Sequence, residues 1–454
     1  MAIIASMLAA IKSDPLWFLG GAQRVNECFT RAGHIWRERV LDPAQTIRLF
    51  ILQILHGNTA ISGLRHLSKT DVADSSYCTA RARLPLSAVA GMVGELCCSG
   101  GRCVEDAAAW LGRRVLMADG TGLLTPDAPE LQKEWPQSSG QKPGCGFPAI
   151  KLLGLLDLAT GMILHLTMMC LRTQEFSQLT GMHAALRPRD VLLADRGFCS
   201  FAHLAMLAAA SVDAVFRMHQ RQIVDFTPGR PHRGKSAKRY RTGMPNSRFV
   251  RKLGEEDQIV EWARPGSRPA WTTDAQFAAM PRTLLVRELR YRIVVKGRRT
   301  RWVTIATTLL DPMRYPKREI AKLYGLRWEI ETNFSHLKTT MKMEHLKCKT
   351  VDGVLKELMI YVLVYNLVRA AMTLAAERQG AVDANRMSFI DALRWLCSML
   401  APGKDGPMPD LIVNPNRPGR WCPRVKKKRM KEYDLMIKPR AQYAEPSKPA
   451  TVMD

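Results

Sequence analysis

The sequence predicts an α/β protein in which a central region of β-strands lies between a helical N-terminal region and a mainly helical C-terminal region. Three observations predict this class. Apolar residues recur at helical spacing near the start of the chain, as in IRLFILQIL of residues 47–55. Short apolar runs bounded by turn residues begin at Arg113. Residues 321–342, AKLYGLRWEIETNFSHLKTTMK, then have the periodicity of an amphipathic helix.

The composition limits the class of partner. The chain has 454 residues, of which 46% are hydrophobic, so it can bury a large core and is not disordered throughout. Its formal net charge is +26 at pH 7. Because a globular protein gains no stability from such self-repulsion, this charge indicates a polyanionic partner. Nucleic acid is the first candidate and an anionic membrane surface is the second.

The cysteines and the apolar segments indicate a soluble, cytoplasmic protein. None of the 11 cysteines forms the CxxC pair that a structural zinc site needs, so we expect reduced thiols. The N-terminal stretch MAIIASMLAAIKSDPLW lacks the basic start of a signal peptide. The longest apolar segment, Leu358 to Ala376, contains Asn366 and Arg369, which favours a core helix over a membrane span.

The N-terminal region, residues 1–105, has helical periodicity and no strand signals. Within it, SSYCTARARLP carries Arg81 and Arg83 just before Pro85. A helix-turn-helix would bring these arginines to DNA, whereas a helical bundle would leave them on a solvated basic edge. The periodicity alone does not separate these two interpretations.

Two predicted strands each deliver an aspartate to their carboxyl end. In RRVLMADGTGL an apolar strand from Val115 to Ala118 leads to Asp119, and in DVLLADRGF another leads to Asp195. A glycine follows each acid closely and lets the backbone turn away, so that the carboxylate is exposed on a rigid support. Between them, FPAIKLLGLLDLATGMILHLTM predicts a hairpin with its turn at residues 159–161. Either aspartate alone would more often be a turn former.

Residues 217–310 separate the second aspartate from the amphipathic helix. They begin with a basic passage rich in glycine and proline and end in two strand-like runs with a turn at Lys296 and Gly297.

The amphipathic helix places polar residues on one stripe. At about 100° per residue, the stripe spans roughly 60° and comprises Tyr324, Arg327, Glu331 and Lys338. An arc of about 80° beside it forms a core face of Leu323, Leu326, Ile330, Phe334, Leu337 and Met341. Taken alone, Arg327 and Glu331 could be an ordinary surface pair four residues apart.

Taken together, these motifs resemble the DDE transposases of the insertion-sequence-four family. The likeness rests on DGT at Asp119, DRGF at Asp195, and the series of Tyr324, Arg327, Glu331 and Lys338. The resemblance implies a ribonuclease-H-like catalytic core interrupted by a β-rich insertion, with an N-terminal helical DNA-binding domain. The family's AR-x-RLP run in that domain is similar to the segment holding Arg81 and Arg83, which favours a DNA-binding role for them.

The resemblance also implies a domain organisation. It consists of a helical DNA-binding domain, a first part of the core, the basic β-rich insertion, a second part of the core with the Glu331 helix, and a helical C-terminal region with a basic tail. These cover residues 1–105, 106–216, 217–310, 311–372 and 373–454.

The resemblance assigns roles to particular residues. Asp119, Asp195 and Glu331 would be catalytic and would bind metal. Tyr324, Arg327 and Lys338 would hold DNA phosphates, and Trp328 or Trp302 would stack on a flipped base. A buried core position is the alternative for Trp302.

Converging carboxylates repel one another unless a cation lies among them, and oxygen ligands suit Mg²⁺, with Mn²⁺ as a substitute.

The expected activity is cutting of an insertion sequence at its terminal inverted repeats and joining to target DNA, by two-metal in-line phosphoryl transfer through a hairpin intermediate. The partners would be double-stranded DNA and a second copy of the chain in the synaptic complex, and no membrane. The alternatives are a catalytically inactive DNA-binding regulator and a metal-dependent nuclease without strand transfer.

Overall fold

The structure is a computed structural model, and it describes the following residues of the chain: 16, 19–68, 70, 72–100, 110–173, 178–232, 244–293, 301–380, 382–399, 409–415 and 433–443. Within them the protein is a mixed α/β fold built on one nine-stranded sheet. The predicted α/β class is therefore confirmed.

The sheet is formed by strands β1 (Val115–Leu124), β2 (Ala149–Asp157), β3 (Ile163–Cys170), β4 (Val191–Ala194), β5 (Asp213–Arg217), β6 (Arg248–Gly254), β7 (Asp257–Ala263), β8 (Thr283–Ile293) and β9 (Arg301–Thr307). Their order across the sheet is β3-β2-β1-β4-β5-β9-β8-β7-β6. β1, β4 and β5 are parallel, and the other neighbours are antiparallel. The predicted hairpin is confirmed as β2 and β3, with Gly161 at positive φ in its turn.

β1 continues past Asp119, contrary to the expectation that the strand ends there. Its pairing with β4 stops at Ala118 and Ala194, but its pairing with β2 runs on to Leu124. The antiparallel β2 supplies hydrogen-bond partners that a short run of apolar residues does not reveal. Asp119 therefore lies where β1 and β4 separate, and Asp195 directly follows the end of β4 as predicted.

β6 to β9 extend the same sheet. β9 pairs with β5, so the strands that follow the basic passage continue the sheet instead of forming a separate one. The two predicted strand-like runs are β8 and β9, while their predicted turn at Lys296 and Gly297 lies outside the described residues.

The helices are α1 (Gly21–Arg31), α2 (Pro43–Leu55), α3 (Asp74–Arg83), α4 (Leu86–Gly100), α5 (Pro129–Glu134), α6 (Leu179–His183), α7 (Phe201–Ala209), α8 (Asp274–Ala279), α9 (Lys317–Gly325), α10 (Glu329–Ser335), α11 (Val351–Arg378) and α12 (Phe389–Met399). The described part of the N-terminal region is helical, as predicted. Its α2 begins at Asp42, whose side chain accepts the Gln45 N–H.

α11 is the central helix of the core. Thr350 caps its N-terminus by accepting the Gly353 N–H, and the helix packs against α2 and α4. Among the described residues it alone is long and apolar enough to cross a membrane, and it is almost entirely buried inside the protein. Burial on all sides explains why its sequence is apolar around its whole circumference.

The segment with the polar stripe is not a uniform α-helix. α9 ends at Gly325, residues 326–328 form a 3₁₀ turn, α10 follows, and residues 336–340 form a π-helical turn. Because these turns change the angular step per residue, a single 100° periodicity misplaces some side chains. Leu326, predicted for the core, is 47% exposed.

The buried His203 and the partly buried His183 form a pair beside the loop that follows Asp195. His203 on α7 has its Nδ1 2.9 Å from the Phe198 carbonyl oxygen and its Nε2 3.2 Å from Nε2 of His183. Burial foremost, and then the neighbouring imidazole of His183, lowers the pKa of His203 to about 3. In the folded protein the His203 imidazole is therefore neutral at physiological pH.

We expect this pair to make the fold sensitive to acid. The unfolded chain binds the His203 proton near pH 6.5, before the folded protein does, so stability falls as pH drops from there towards 3. Between pH 7.5 and pH 5, protonation of His203 in the unfolded chain should lower the free energy of unfolding by about 2 kcal/mol. Urea unfolding at both pH values should show a smaller loss for His203→Gln than for wild type. The exposed His232→Gln serves as control, and equal losses in all three proteins would refute the expectation.

Candidate active site

Two acids meet where β1 and β4 separate. Ala118 and Ala194 are partners in the parallel register, so Asp119 and Asp195 are the next residues on adjacent strands. Asp119 accepts the Gly120 N–H at 2.8 Å. Burial foremost raises the pKa of Asp119, and the charge of Asp195 raises it further, while the Gly120 N–H and Arg327 oppose the rise. This acid needs a cation to remain ionised at low energetic cost.

The cation beside Asp119 is the guanidinium of Arg327. Its Nη1 donates to Oδ2 of Asp119 at 2.9 Å and its Nη2 donates to Oε1 of Glu331 at 3.2 Å. The Arg327 side chain is only 9% exposed, whereas that of Glu331 is 46% exposed. Burial alone would lower the pKa of Arg327, but Tyr324 and the three carboxylates raise it. The guanidinium thus joins the strand acid to the helix acid.

Tyr324 is buried beside this group. Its hydroxyl has no hydrogen-bond partner within the described part of the chain, although it lies close enough to Asp195 and Arg327 to interact with their charges. Burial raises its pKa. A buried hydroxyl without a protein partner is energetically costly, so this hydroxyl is a candidate to bind a further polar group at the site.

Lys338 approaches β1 farther along the strand. Its Nζ donates to the Gly122 carbonyl oxygen at 2.7 Å and to Oγ1 of Thr121 at 3.3 Å. Burial lowers the pKa of Lys338. Arg327 and Lys338 of the predicted polar stripe therefore contact β1, Tyr324 lies within electrostatic reach of Asp195, and Glu331 contacts Arg327.

A family model described as the transposase DDE domain matches residues 110–367, which is more than half of the chain. The chain belongs to the DDE transposase family.

Among curated proteins, this transposase is similar to the transposase InsG for insertion sequence element IS4 of Escherichia coli strain K12. The two are 25% identical over 340 residues, which cover 71% of this chain and 70% of the relative. Among solved structures, it is similar to the piggyBac transposase synaptic complex with hairpin DNA. The TM-score is 0.47 and the identity 11%, with 86% of this chain and 80% of that chain covered.

DDE transposases use divalent metal, and the residues at this site fit such an ion chemically. Asp119, Asp195 and Glu331 offer only carboxylate oxygens, and the buried Arg327 guanidinium shows that the space between two of them accommodates a cation. In the described part of the chain, however, no three His, Cys, Asp or Glu side chains form a ready metal cluster. Arg327 keeps Asp119 and Glu331 apart, which the spacing of the motif did not indicate.

The predicted tryptophans are both exposed. Trp328 is 62% exposed, and the Arg327 guanidinium carbon lies 5.5 Å from its ring centroid. Trp302 on β9 is 56% exposed, so the alternative of a buried core position for it was wrong. Since β9 is on the far side of β5 from β1, Trp328, which contacts Arg327, is the nearer of the two to the acids.

The predicted arginines of the N-terminal region differ in their surroundings. Arg81 stacks on Phe50 at 3.9 Å and donates to Oε1 of Gln53 and Sγ of Cys348. Arg83 is exposed. A DNA-binding role for either remains a prediction.

The sequence pattern missed the partners of Lys338. Thr121 and Gly122 follow the acid in DGTG, but they were not singled out because β1 was expected to end at Asp119. The alternation GTGLL after the acid, with apolar residues resuming at Leu123, was the available signal for a longer strand.

Removing Arg327 should destabilise the transposase. Arg327→Gln leaves the partly buried Asp119 without its charged partner, and we expect the free energy of unfolding to fall by about 1–3 kcal/mol. The exposed Arg318→Gln on α9 should change it little.

A double-mutant cycle separates charge from packing. In an Arg327→Gln protein, Asp119→Asn removes the unpaired charge and should restore part of the loss, as measured by urea unfolding. Additive losses from the two substitutions would show that the two side chains are not energetically coupled.

Proposed function

We propose that this DDE transposase cuts an insertion sequence at its terminal inverted repeats and joins the freed 3′ ends to target DNA, in the cytoplasm. The observation that carries the proposal is the contact of Arg327 with both Asp119 and Glu331, beside Asp195. It supports one site made from all three acidic motifs. The family membership and the similarity to an insertion-sequence transposase support the substrate class.

We assign Asp119, Asp195 and Glu331 as ligands for Mg²⁺, with Mn²⁺ as a substitute. When bound, the metal ions would activate the attacking oxygen and stabilise the leaving 3′ oxygen in an in-line displacement at phosphorus. Asp119, which pairs with Gly154 of β2, and Asp195, which directly follows β4, are the more rigid part of the ligand set. Glu331 is the adjustable part, since its side chain is the more exposed one.

Arg327 has two roles in this mechanism. In the protein without DNA its guanidinium compensates the charge of Asp119 and Glu331. When DNA binds, a change in the Arg327 side-chain conformation would let the guanidinium bind a phosphate through two parallel hydrogen bonds. Lys338 neutralises the strand farther along β1, and the buried Tyr324 hydroxyl supplies one more hydrogen bond.

The remaining assignments extend outward from this site. We interpret β1 to β5 as the ribonuclease-H-like part of the sheet and β6 to β9 as the insertion. Trp328 is our first candidate for stacking on a flipped base in a hairpin intermediate, and Trp302 is the second, because both indoles are exposed. Arg83 is available for DNA backbone contact, and synapsis of two ends favours a dimer at the moment of reaction.

The first test replaces one carboxylate without changing its volume. Purified protein is incubated with Mg²⁺ and a supercoiled plasmid carrying the element's own ends, and excised, hairpin and joined products are resolved on gels. Glu331→Gln should abolish all products, because a metal ligand is lost, while DNA binding is kept. Glu329→Gln is the matched control, because Glu329 lies two residues away on the same helix but lines a cavity of about 800 Å³ that does not include the three acids.

The products also separate the alternatives. Binding to the ends with no cutting by wild type in Mg²⁺ or Mn²⁺ would favour a DNA-binding regulator. Cutting without joined products would favour a nuclease.

A second test concerns the competition between Arg327 and metal. Because the guanidinium already compensates Asp119 and Glu331, Arg327→Gln should bind Mn²⁺ several-fold more tightly in the absence of DNA, as measured by calorimetry. Asp195→Asn should bind it more weakly. If Arg327→Gln binds Mn²⁺ no more tightly than wild type, the guanidinium does not compete with the metal ion for the carboxylates.

A further inference from the structure

Residues 433–443, which we call the C-terminal strap, dock on the segment that joins α5 to β2. Leu435 forms a β-bridge with Gly146. The Met436 N–H donates to the Cys145 carbonyl oxygen at 2.7 Å, and the Arg440 N–H donates to that of Gly144 at 2.8 Å. The strap is therefore fixed by backbone hydrogen bonds along both halves of its length.

Side chains fix the strap at its two ends. At the later end, the Arg440 guanidinium binds both carboxylate oxygens of Asp127 at 2.9 and 2.7 Å, and Asp127 comes shortly after β1. At the earlier end, the Gln141 side-chain amide donates to the carbonyl oxygens of Tyr433 and Asp434 at 3.0 and 3.3 Å. A two-point ion pair is more specific than a single surface contact, so the docking position is well defined.

This docking brings Tyr433 to the active-site strand. The Tyr433 hydroxyl oxygen lies so close to the Gly122 backbone that a Cβ at residue 122 would clash with it. Gly122 is three residues after Asp119, in the part of β1 that has lost its pairing with β4. A glycine at this position lets the hydroxyl come up to the strand backbone itself.

Tyr433 and Lys338 approach this stretch from opposite faces of the sheet. The Thr121 side chain meets Lys338, and side chains alternate along a strand, so position 122 faces the other side. Lys338 nonetheless reaches the Gly122 carbonyl oxygen. A cation and a phenol hydroxyl thus flank the same residue from the two faces of β1, and Asp119, two residues before Thr121, lies on the Lys338 face.

We propose that the C-terminal strap borders the active site and that Tyr433 contacts the phosphate backbone of a DNA strand lying along the free edge of β1 beyond Asp119. The inference rests on the proposed function for its ligand, and it adds a residue from the end of the chain to the site. Tyr433 supplies a neutral hydrogen-bond donor opposite the Lys338 ammonium. The basic run RVKKKRMK, residues 424–431, precedes it directly in sequence and agrees in charge with the same ligand.

The test uses full-length protein and a fluorescent duplex carrying the element's own terminal repeat. Affinity is measured by anisotropy in EDTA, and cleavage rate in Mg²⁺. Tyr433→Phe keeps the ring and removes the hydroxyl, so we expect affinity to fall about tenfold, the cost of one hydrogen bond to a charged group. The melting temperature is measured alongside, so that a loss of affinity caused by destabilisation is recognised.

Tyr443→Phe is the matched control on the same strap. Its hydroxyl accepts the Lys438 N–H at 3.2 Å, and the residue is 56% exposed, away from β1. This variant should bind and cleave as wild type does. If Tyr433→Phe also binds and cleaves as wild type does, the inference is overturned and Tyr433 only packs against the strand.

A second variant tests the contact with Gly122. The Cβ of Gly122→Ala takes the place of the Tyr433 hydroxyl, so affinity should fall, and adding Tyr433→Phe should cause little further loss. Fully additive losses would contradict a shared cause.

The outcomes for wild type separate this inference from the proposed function. If wild type binds the duplex but does not cut it, the catalytic proposal fails. The ratio of the wild-type affinity to the Tyr433→Phe affinity still decides the role of Tyr433. If wild type binds no DNA, both fail.

Discussion

The Arg327 guanidinium is the interaction on which the site depends. It is almost buried, it contacts Asp119 and Glu331, and it lies within electrostatic reach of Asp195. Without it, an acid on the sheet and an acid on the helix would repel each other across a partly buried space. The guanidinium thus lets an acid on the strand and an acid on the helix stay ionised in one partly buried region.

The sheet provides the second constraint. β1 pairs with β4 only as far as Ala118 but with β2 as far as Leu124, so one edge of β1 becomes free at Asp119. Parallel strands that separate at the same level hold two aspartates side by side while leaving room beyond them. Lys338 from the helix side and Tyr433 from the C-terminal strap approach that free length from opposite faces. The strand is thus both the support of an acid and one wall of the adjoining space.

The helix that carries Glu331 combines three kinds of turn. A 3₁₀ turn before α10 exposes Leu326 and Trp328, while a π-helical turn after it includes Lys338. Such irregular turns occur often at functional sites because they redirect single side chains without breaking the helix. Here they leave Arg327 buried beside the sheet and Trp328 facing solvent, although the two residues are adjacent in sequence.

Local patterns in the sequence were enough to predict the α/β class, the hairpin, the position of Asp195 after its strand, and the nearness of Arg327 to Glu331. These follow from local periodicity and from polar residues at fixed spacings, which act over a few residues. Tertiary contacts set the continuation of β1 past Asp119, the exposure of Trp302, the stacking of Arg81 on Phe50 and the contact of Tyr433 with Gly122. Each of these depends on contacts between segments distant in the chain. Such contacts are set by strand pairing and packing, and no local pattern encodes them.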